Sequence, residues 1–254
     1  MAPKTPTREP KQGGAVHELT DVTAAILAGG LGKRLRSVVA DRPKVLAKIH
    51  GKPFLAYLLD QLVAAGIRDV VLCTGYLADQ ITAIFGASYG SLRVTYSEES
   101  APLGTGGALR LALPLFKSNP VLVMNGDSYC DANLESFWLW HRKRRADAAL
   151  LLTKVSDTQR YGRVQAGADG AVTHFEEKGS AKGPGWINAG IYLLPRDLLL
   201  EIPANSAVSL EREVFPVWVR HGLYGFPTTA RFLDIGTPGD FAKAEGFFAS
   251  LKGN

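Results

Sequence analysis

Short unbroken apolar runs alternate along this chain with amphipathic stretches. Ala24 to Ala28, Asp69 to Cys73 and Val121 to Met124 show no polar alternation, the pattern of strands buried on both faces. Arg93 to Tyr96 adds a further strand. Phe54 to Ala65, Ala78 to Phe85, Gly104 to Leu113 and Asn133 to Arg144 read as helices, the first ended by Gly66. Pro43-Lys44 opens a short extended piece over Val45 to Ile49. Strands alternating with helices at this spacing predict an α/β fold. The sheet is Rossmann-like and mixed, mainly parallel, with helices on both faces.

The texture changes near Ala148. Ala148 to Lys154, Arg163 to Gln165, Val172 to Glu176 and Trp186 to Leu194 read as strands separated by turns, with a hairpin signal at Gly167-Ala168-Asp169-Gly170. A helix from Leu210 to Val219, bent or split at Pro216, precedes short strands at Leu223 to Phe226 and Arg231 to Asp234. Pro238 to Leu251 reads as one terminal amphipathic helix. The expected organisation is a flexible tail over 1–22, polar and without the apolar core of a secretion signal, and a single domain over 23–254. Within it, 23–147 forms one half and 148–254 a partly antiparallel extension sharing its sheet.

Composition narrows the class. The 254 residues are 46% hydrophobic and 21% charged, as in a globular protein with one substantial core. The net charge of +5 favours anionic ligands weakly. No basic tract with interleaved aromatics points to nucleic acid. The cluster His141-Arg142-Lys143-Arg144-Arg145 reads instead as a solvated helix C-terminus. No apolar run reaches membrane-span length. Cys73 and Cys130 lack metal spacing and read as free thiols of a reducing cytoplasm. Phe137, Trp138 and Trp140 read as core by their helical spacing, with a homo-oligomer interface as the alternative.

Candidate chemistry begins where the first apolar run stops, at Leu27-Ala28-Gly29-Gly30-Leu31-Gly32-Lys33-Arg34. Successive backbone N–H groups in such a loop make a concave anion site, and Lys33 and Arg34 add charge. It is not a Walker A loop, because Leu27 and Arg34 stand where glycine and Ser or Thr are needed. Leu35 breaks the dinucleotide fingerprint. A glycine turn without a ligand remains the bland alternative. Asp127, after the fourth strand, and Asp234, before Ile235-Gly236-Thr237-Pro238, lie where open sheets keep their ligands. Paired carboxylates beside a phosphate cradle suit Mg²⁺; singly, each also suits a turn. The glycines of Leu103-Gly104-Thr105-Gly106-Gly107 would let a flat base lie against the backbone, or simply open a helix, and Glu98 and Glu99 would accept from a base or sugar hydroxyl, or sit in a solvated loop. Glu176-Glu177-Lys178 pairs acids for hydroxyls with a cation for phosphate. Asn188 interrupts an apolar strand and needs either a ligand or a local backbone partner. Gly162, after Tyr161, is a glycine where a ring could approach.

In this order these stretches, with Pro43-Lys44 and Asn125-Gly126-Asp127, resemble the sugar-1-phosphate nucleotidylyltransferase family over about Thr23 to Leu251. The resemblance implies the nucleotide-diphospho-sugar transferase fold. It also implies a reaction in which a nucleoside triphosphate and a sugar 1-phosphate give a nucleotide sugar and pyrophosphate. Leu27, Ala28, Gly29, Gly30, Gly32, Lys33 and Arg34 would hold the triphosphate. Glu99, Gly104, Thr105 and Gly126 would complete the nucleotide site. Arg34, Lys44, Asp127 and Lys178 would be catalytic, and Asp127 and Asp234 would bind Mg²⁺. Gly162, Glu177, Lys178 and Asn188 would hold the sugar phosphate. Ser209-Leu210-Glu211 and Phe232 to Phe241 look most like guanylyltransferases that use GTP and D-glycero-α-D-manno-heptose 1-phosphate for surface polysaccharide. Mannose-1-phosphate guanylyltransferases and uridylyl- or thymidylyltransferases share much of the pattern. A non-catalytic nucleotide-sugar-binding regulator is the alternative of another class.

Overall fold

A computed structural model describes residues 18–30, 32–35, 41–176, 182–219 and 221–251. The chain order begins with β1 (Thr23–Leu27), a small hairpin of β2 (Lys48–Ile49) and β3 (Lys52–Pro53), and helix α1 (Phe54–Ala64). β4 (Asp69–Thr74), α2 (Ala78–Phe85), β5 (Ser88–Tyr89), β6 (Leu92–Glu98), α3 (Gly104–Ala112), β7 (Val121–Asn125), β8 (Ser128–Cys130) and α4 (Leu134–Arg144) follow. The extension comprises β9 (Ala148–Val155), β10 (Arg163–Ala166), β11 (Val172–Glu176), β12 (Gly185–Leu194), α5 (Arg196–Glu201) and α6 (Phe215–Trp218). It closes with β13 (Leu223–Thr228), β14 (Phe232–Asp234), α7 (Pro238–Phe241) and α8 (Ala244–Leu251).

The expected mixed sheet is present. β7, β1, β4 and β6 run parallel as neighbours, and β12 joins β7 antiparallel, carrying β9 and β10 with it. Both faces of the parallel strands are covered. Ala24, Ile26, Val70 and Leu72 face a core shared with Leu55, Leu58, Phe137, Trp138 and Phe248. Ala25, Val71 and Cys73 face a second core with Leu109, Ala112, Leu198 and Phe215. Two-sided burial explains why these strands lack polar alternation. Phe137 and Trp138 are core, as their spacing predicts.

Four local features differ from the sequence pattern. Lys44–Leu46 is a 3₁₀ turn rather than the start of an extended piece, and only Lys48–Ile49 is strand. The expected 238–251 helix breaks after α7: the Lys243 N–H bonds the Asp240 carbonyl at 3.0 Å, a three-residue step, before α8 resumes. Leu210–Val214 forms a π-helical turn ahead of α6, whose second residue, Pro216, lacks the N–H that would continue the earlier ladder. His141 is buried rather than solvated, and burial pulls its imidazole down to about 4. The basic residues after it do occupy the last turn of α4.

Candidate active site

The carboxyl ends of β1, β4 and β7 open into a cleft of about 560 Å³, where an open sheet holds ligands. Its position follows from the apolar strands: each ends where polar or glycine residues take over. β1 and β7 pair up to Leu27 and Asn125, and the Gly126 N–H then bonds the Leu27 carbonyl at 3.0 Å. A β-carbon on Gly126 would run into that carbonyl oxygen, so glycine is required by close approach. The next residue, Asp127, is thereby held at the mouth of the glycine loop.

Asp234 reaches the same point from far along the chain. β14 pairs antiparallel with β8, setting Asp234 opposite Ser128, and the Ile235 N–H bonds the Asp127 carbonyl at 3.0 Å. The Gly236 N–H donates to Asp234 Oδ1. Lys44 Nζ, mostly buried, donates to Asp127 Oδ2 at 2.9 Å. Burial opposes ionisation of Asp127, but the charges of Lys44 and Arg34 outweigh it and hold the carboxyl below its ordinary value. Asp234 is pushed up, first by burial and then by the Asp127 charge. Asp127 and Asp234 are the residues that would hold a divalent cation, whose charge would relieve that repulsion. The all-oxygen donor set fits Mg²⁺, which takes one or two carboxylates and completes its shell with water and phosphate.

Leu27, Gly29, Gly30, Gly32, Arg34, Glu99, Gly104, Thr105, Gly126, Asp127, Asn188 and Asp234 all line the cleft. Ala28 and Lys44 line an adjoining recess of about 180 Å³. Lys33 opens the turn Lys33–Leu35. The Gly162 amide bonds the Thr158 carbonyl, and its neighbours Tyr161 and Arg160 line the cleft. Glu177 and Lys178 lie outside the described residues.

The glycines at 104 and 107 are packed closely against a neighbouring loop. A β-carbon on Gly104 would lie 2.6 Å from the Val208 carbonyl oxygen, and one on Gly107 would strike that of Ser206. The N–H groups of Gly106 and Gly107 bond the Val208 carbonyl. Asn188 finds its local partner: its Oδ1 accepts the Gly190 N–H at 2.9 Å, across a break in the β12 ladder. Glu99 accepts the Leu103 N–H at 2.9 Å, and burial raises its carboxyl.

Arg160 and Glu211 also line the cleft, and nothing in their sequence surroundings assigns either a role there. Arg160 carries positive charge to the wall, clasped by Asp240 through two hydrogen bonds, one of 3.0 Å. Arg160 in turn holds the Asp240 carboxyl down at about 2. The Tyr161 ring packs edge-on against Phe232. Cys73 borders the cleft, but burial raises its thiol to about 12, so it supplies no thiolate nucleophile at neutral pH. Among the described residues no group of three His, Cys, Asp or Glu side chains forms a metal cage, and no helix is long and apolar enough to cross a membrane.

The arrangement has clear relatives. A protein from Aneurinibacillus thermoaerophilus named D-glycero-alpha-D-manno-heptose 1-phosphate guanylyltransferase is 38% identical over 223 residues, covering 87% of this chain and 96% of the relative. A Mycobacterium tuberculosis mannose-1-phosphate guanylyltransferase is 37% identical over 226 residues, but this chain spans only 63% of its length. The crystal structure of HddC from Yersinia pseudotuberculosis superposes with a TM-score of 0.79 at 35% identity, covering 89% of this chain and 99% of HddC. HddC has also been crystallised with GMP-PN. The nucleotidyl transferase family pattern matches residues 23–250, nearly the whole sheet and all of the described cleft. The chain belongs to the nucleotidyl transferase family.

Proposed function

We propose that the protein transfers a guanylyl group from GTP to a sugar 1-phosphate, D-glycero-α-D-manno-heptose 1-phosphate being favoured, to give GDP-heptose and pyrophosphate. The observation that carries this reading is the placement of Asp127 and Asp234 side by side at the glycine loop, with Lys44 on Asp127. Heptose is favoured over mannose because this chain spans 96% of a heptose-phosphate relative and 63% of a mannose-phosphate one. A cytoplasmic enzyme supplying surface polysaccharide fits that chemistry.

The division of labour follows from charge. A phosphate oxygen of the sugar 1-phosphate attacks the α-phosphorus of GTP. The α–β phosphoanhydride bond breaks, and pyrophosphate leaves with its electron pair. The attacking oxygen is already an anion, so no general base is needed. Such transfers depend on alignment and electrostatic stabilisation. Two anions must meet, and this chain supplies cations around the meeting point. The loop from Gly29 to Gly32 offers backbone N–H groups, Arg34 takes triphosphate charge, and Lys44 neutralises charge at the α-phosphate. Lys178 takes the sugar phosphate and Glu177 its hydroxyls. Asp127 and Asp234 would hold Mg²⁺, which when bound screens the triphosphate and stabilises the departing pyrophosphate.

Pyrophosphate release in a matrix of nucleoside triphosphates and sugar 1-phosphates with Mg²⁺ tests the proposal. The expected maximum is GTP with the heptose phosphate. A maximum with UTP or dTTP would overturn the guanine assignment. Nucleotide binding without turnover for any pair would favour a non-catalytic regulator.

A further inference from the structure

Along the wall of the cleft runs a partly buried hydrogen-bond relay, centred on the fully buried Tyr192, whose direction can be deduced atom by atom. It starts at Glu211, on the π-helical turn. Glu211 Oε2 lies 2.7 Å from Thr105 Oγ1 and 3.0 Å from Ser209 Oγ, and Oε1 lies 3.3 Å from the Tyr192 hydroxyl. An ionised carboxylate only accepts, so all three hydroxyls donate to it. Thr105 Oγ1 then accepts the Leu210 N–H at 2.8 Å. The Tyr192 oxygen, its proton committed to Glu211, is left as an acceptor. It receives the side-chain amides of Asn188 at 2.8 Å and Asn125 at 3.2 Å. Both carboxamides are thereby fixed with nitrogen inward. For Asn188 this agrees with its Oδ1 accepting the Gly190 N–H. For Asn125 it leaves a buried Oδ1 with no hydrogen-bond partner among the described residues, on a side chain that borders the cleft. Tyr192 is fully buried, and burial raises its hydroxyl well above the ordinary value, so it stays a donor.

We infer that Glu211 is a positioning residue that sets the polarity of this relay and so couples the two ends of the cleft. Thr105 stands on the helix start that borders the nucleotide end. Asn188 stands on β12 at the sugar end, given the two-substrate reading above, and Asn125 on β7 lies opposite Leu27, where the two ends meet. One carboxylate orders both. A neutral amide in its place could not accept from every hydroxyl, because its NH₂ group only donates. Either Thr105 or Tyr192 would turn, and with Tyr192 the carboxamides it orients. The role goes beyond packing because it predicts which kinetic constant each link controls.

Three variants read the relay in steady-state kinetics with GTP and the preferred sugar 1-phosphate. Glu211→Gln is expected to raise both KM values about tenfold, the scale of losing a charge-assisted hydrogen bond. Thr105→Val should raise the GTP KM alone, and Tyr192→Phe the sugar-phosphate KM alone. As a rescue, Glu211→Asp, which keeps the carboxylate, should recover part of both. Melting temperatures identify variants with damaged folds. Three results would overturn the inference. One is a Glu211→Gln enzyme with both KM values unchanged. Another is one that loses only melting temperature. The third is Thr105→Val and Tyr192→Phe each raising both constants equally. If Glu211→Gln does not fold, the Thr105→Val and Tyr192→Phe pair still decides, because their effects must fall on different substrates. Wild-type turnover in the substrate matrix judges the reaction separately, since the variant pattern is measured relative to that turnover.

Discussion

The two ends of the cleft are built in opposite ways. At the end proposed for the nucleotide, β1 stops and one short glycine-rich stretch brings Gly29, Gly30, Gly32 and Arg34 to the cleft. At the other end, the wall is assembled from residues scattered over the extension. Asn188 is held through Tyr192, Arg160 through Asp240, and Asp234 through the ladder with β8. An anion cradle needs little more than N–H groups facing inward, which a local glycine turn can provide. A pocket that distinguishes hydroxyls needs side chains of fixed orientation, and these must be braced from outside their own strand.

Asp127→Asn should show the largest effect, because this residue stands where the two ends meet. A loss of about 100-fold or more in kcat is expected, on the scale of removing one group that stabilises transition-state charge. Circular dichroism should be unchanged. Near-normal rates at saturating Mg²⁺ would remove the metal assignment.

Two glycines separate backbone fit from ligand fit. Gly126→Ala forces a methyl against the Leu27 carbonyl and should destabilise the fold by about 2 kcal/mol in urea titrations, with loss of activity. A β-carbon on Gly30 would meet no atom of the described residues within 4 Å, so Gly30→Ala should leave stability unchanged while raising the GTP KM. Equal stability losses in both would break the contrast between a glycine needed for packing and one needed for ligand.

Lys178→Ala addresses the sugar end and should raise the sugar-phosphate KM about tenfold, with a smaller effect on GTP. Equal effects on both would mean that Lys178 does not select the sugar phosphate. The smallest effect concerns acid stability. The Asp240 carboxyl titrates at about 2 in the folded protein, against about 3.9 for a free aspartate. A depressed folded value stabilises the native state above about pH 4, and that share is lost as pH falls towards 2. The stability difference between wild type and Asp240→Asn should therefore shrink between pH 4 and 2. Arg160 is about half exposed, so solvent screening keeps the difference small. A difference that stayed constant across that window would rule out the ion pair as its source.

What could be read from the sequence follows the same division. Uninterrupted apolar runs mark the parallel strands, because burial on both faces leaves its trace in one short segment. Asp127 is legible because it follows such a run after only Asn125 and Gly126. The pairing of β8 with β14 is not, since three residues on each side carry no periodic signal. Glu211 is visible within Ser209-Leu210-Glu211 without a role, because Thr105 and Tyr192 meet it only in space. Arg160 looks like one more surface cation until Asp240, distant in sequence, closes on it. The glycines at 104 and 107 stand out in the sequence, but their packing against another loop does not, because that loop lies about a hundred positions further on.

The ladder between β8 and β14 also sets an order of events during synthesis. Domains tend to fold as the chain emerges, beginning with its early segments. The glycine loop, Lys44 and Asp127 leave the ribosome well before Phe232–Asp234 and the helix whose Phe248 packs on Phe54 and Tyr57. A nascent chain thus carries the glycine loop and Asp127 long before it has Asp234. Only when that late segment docks do the two acids stand together.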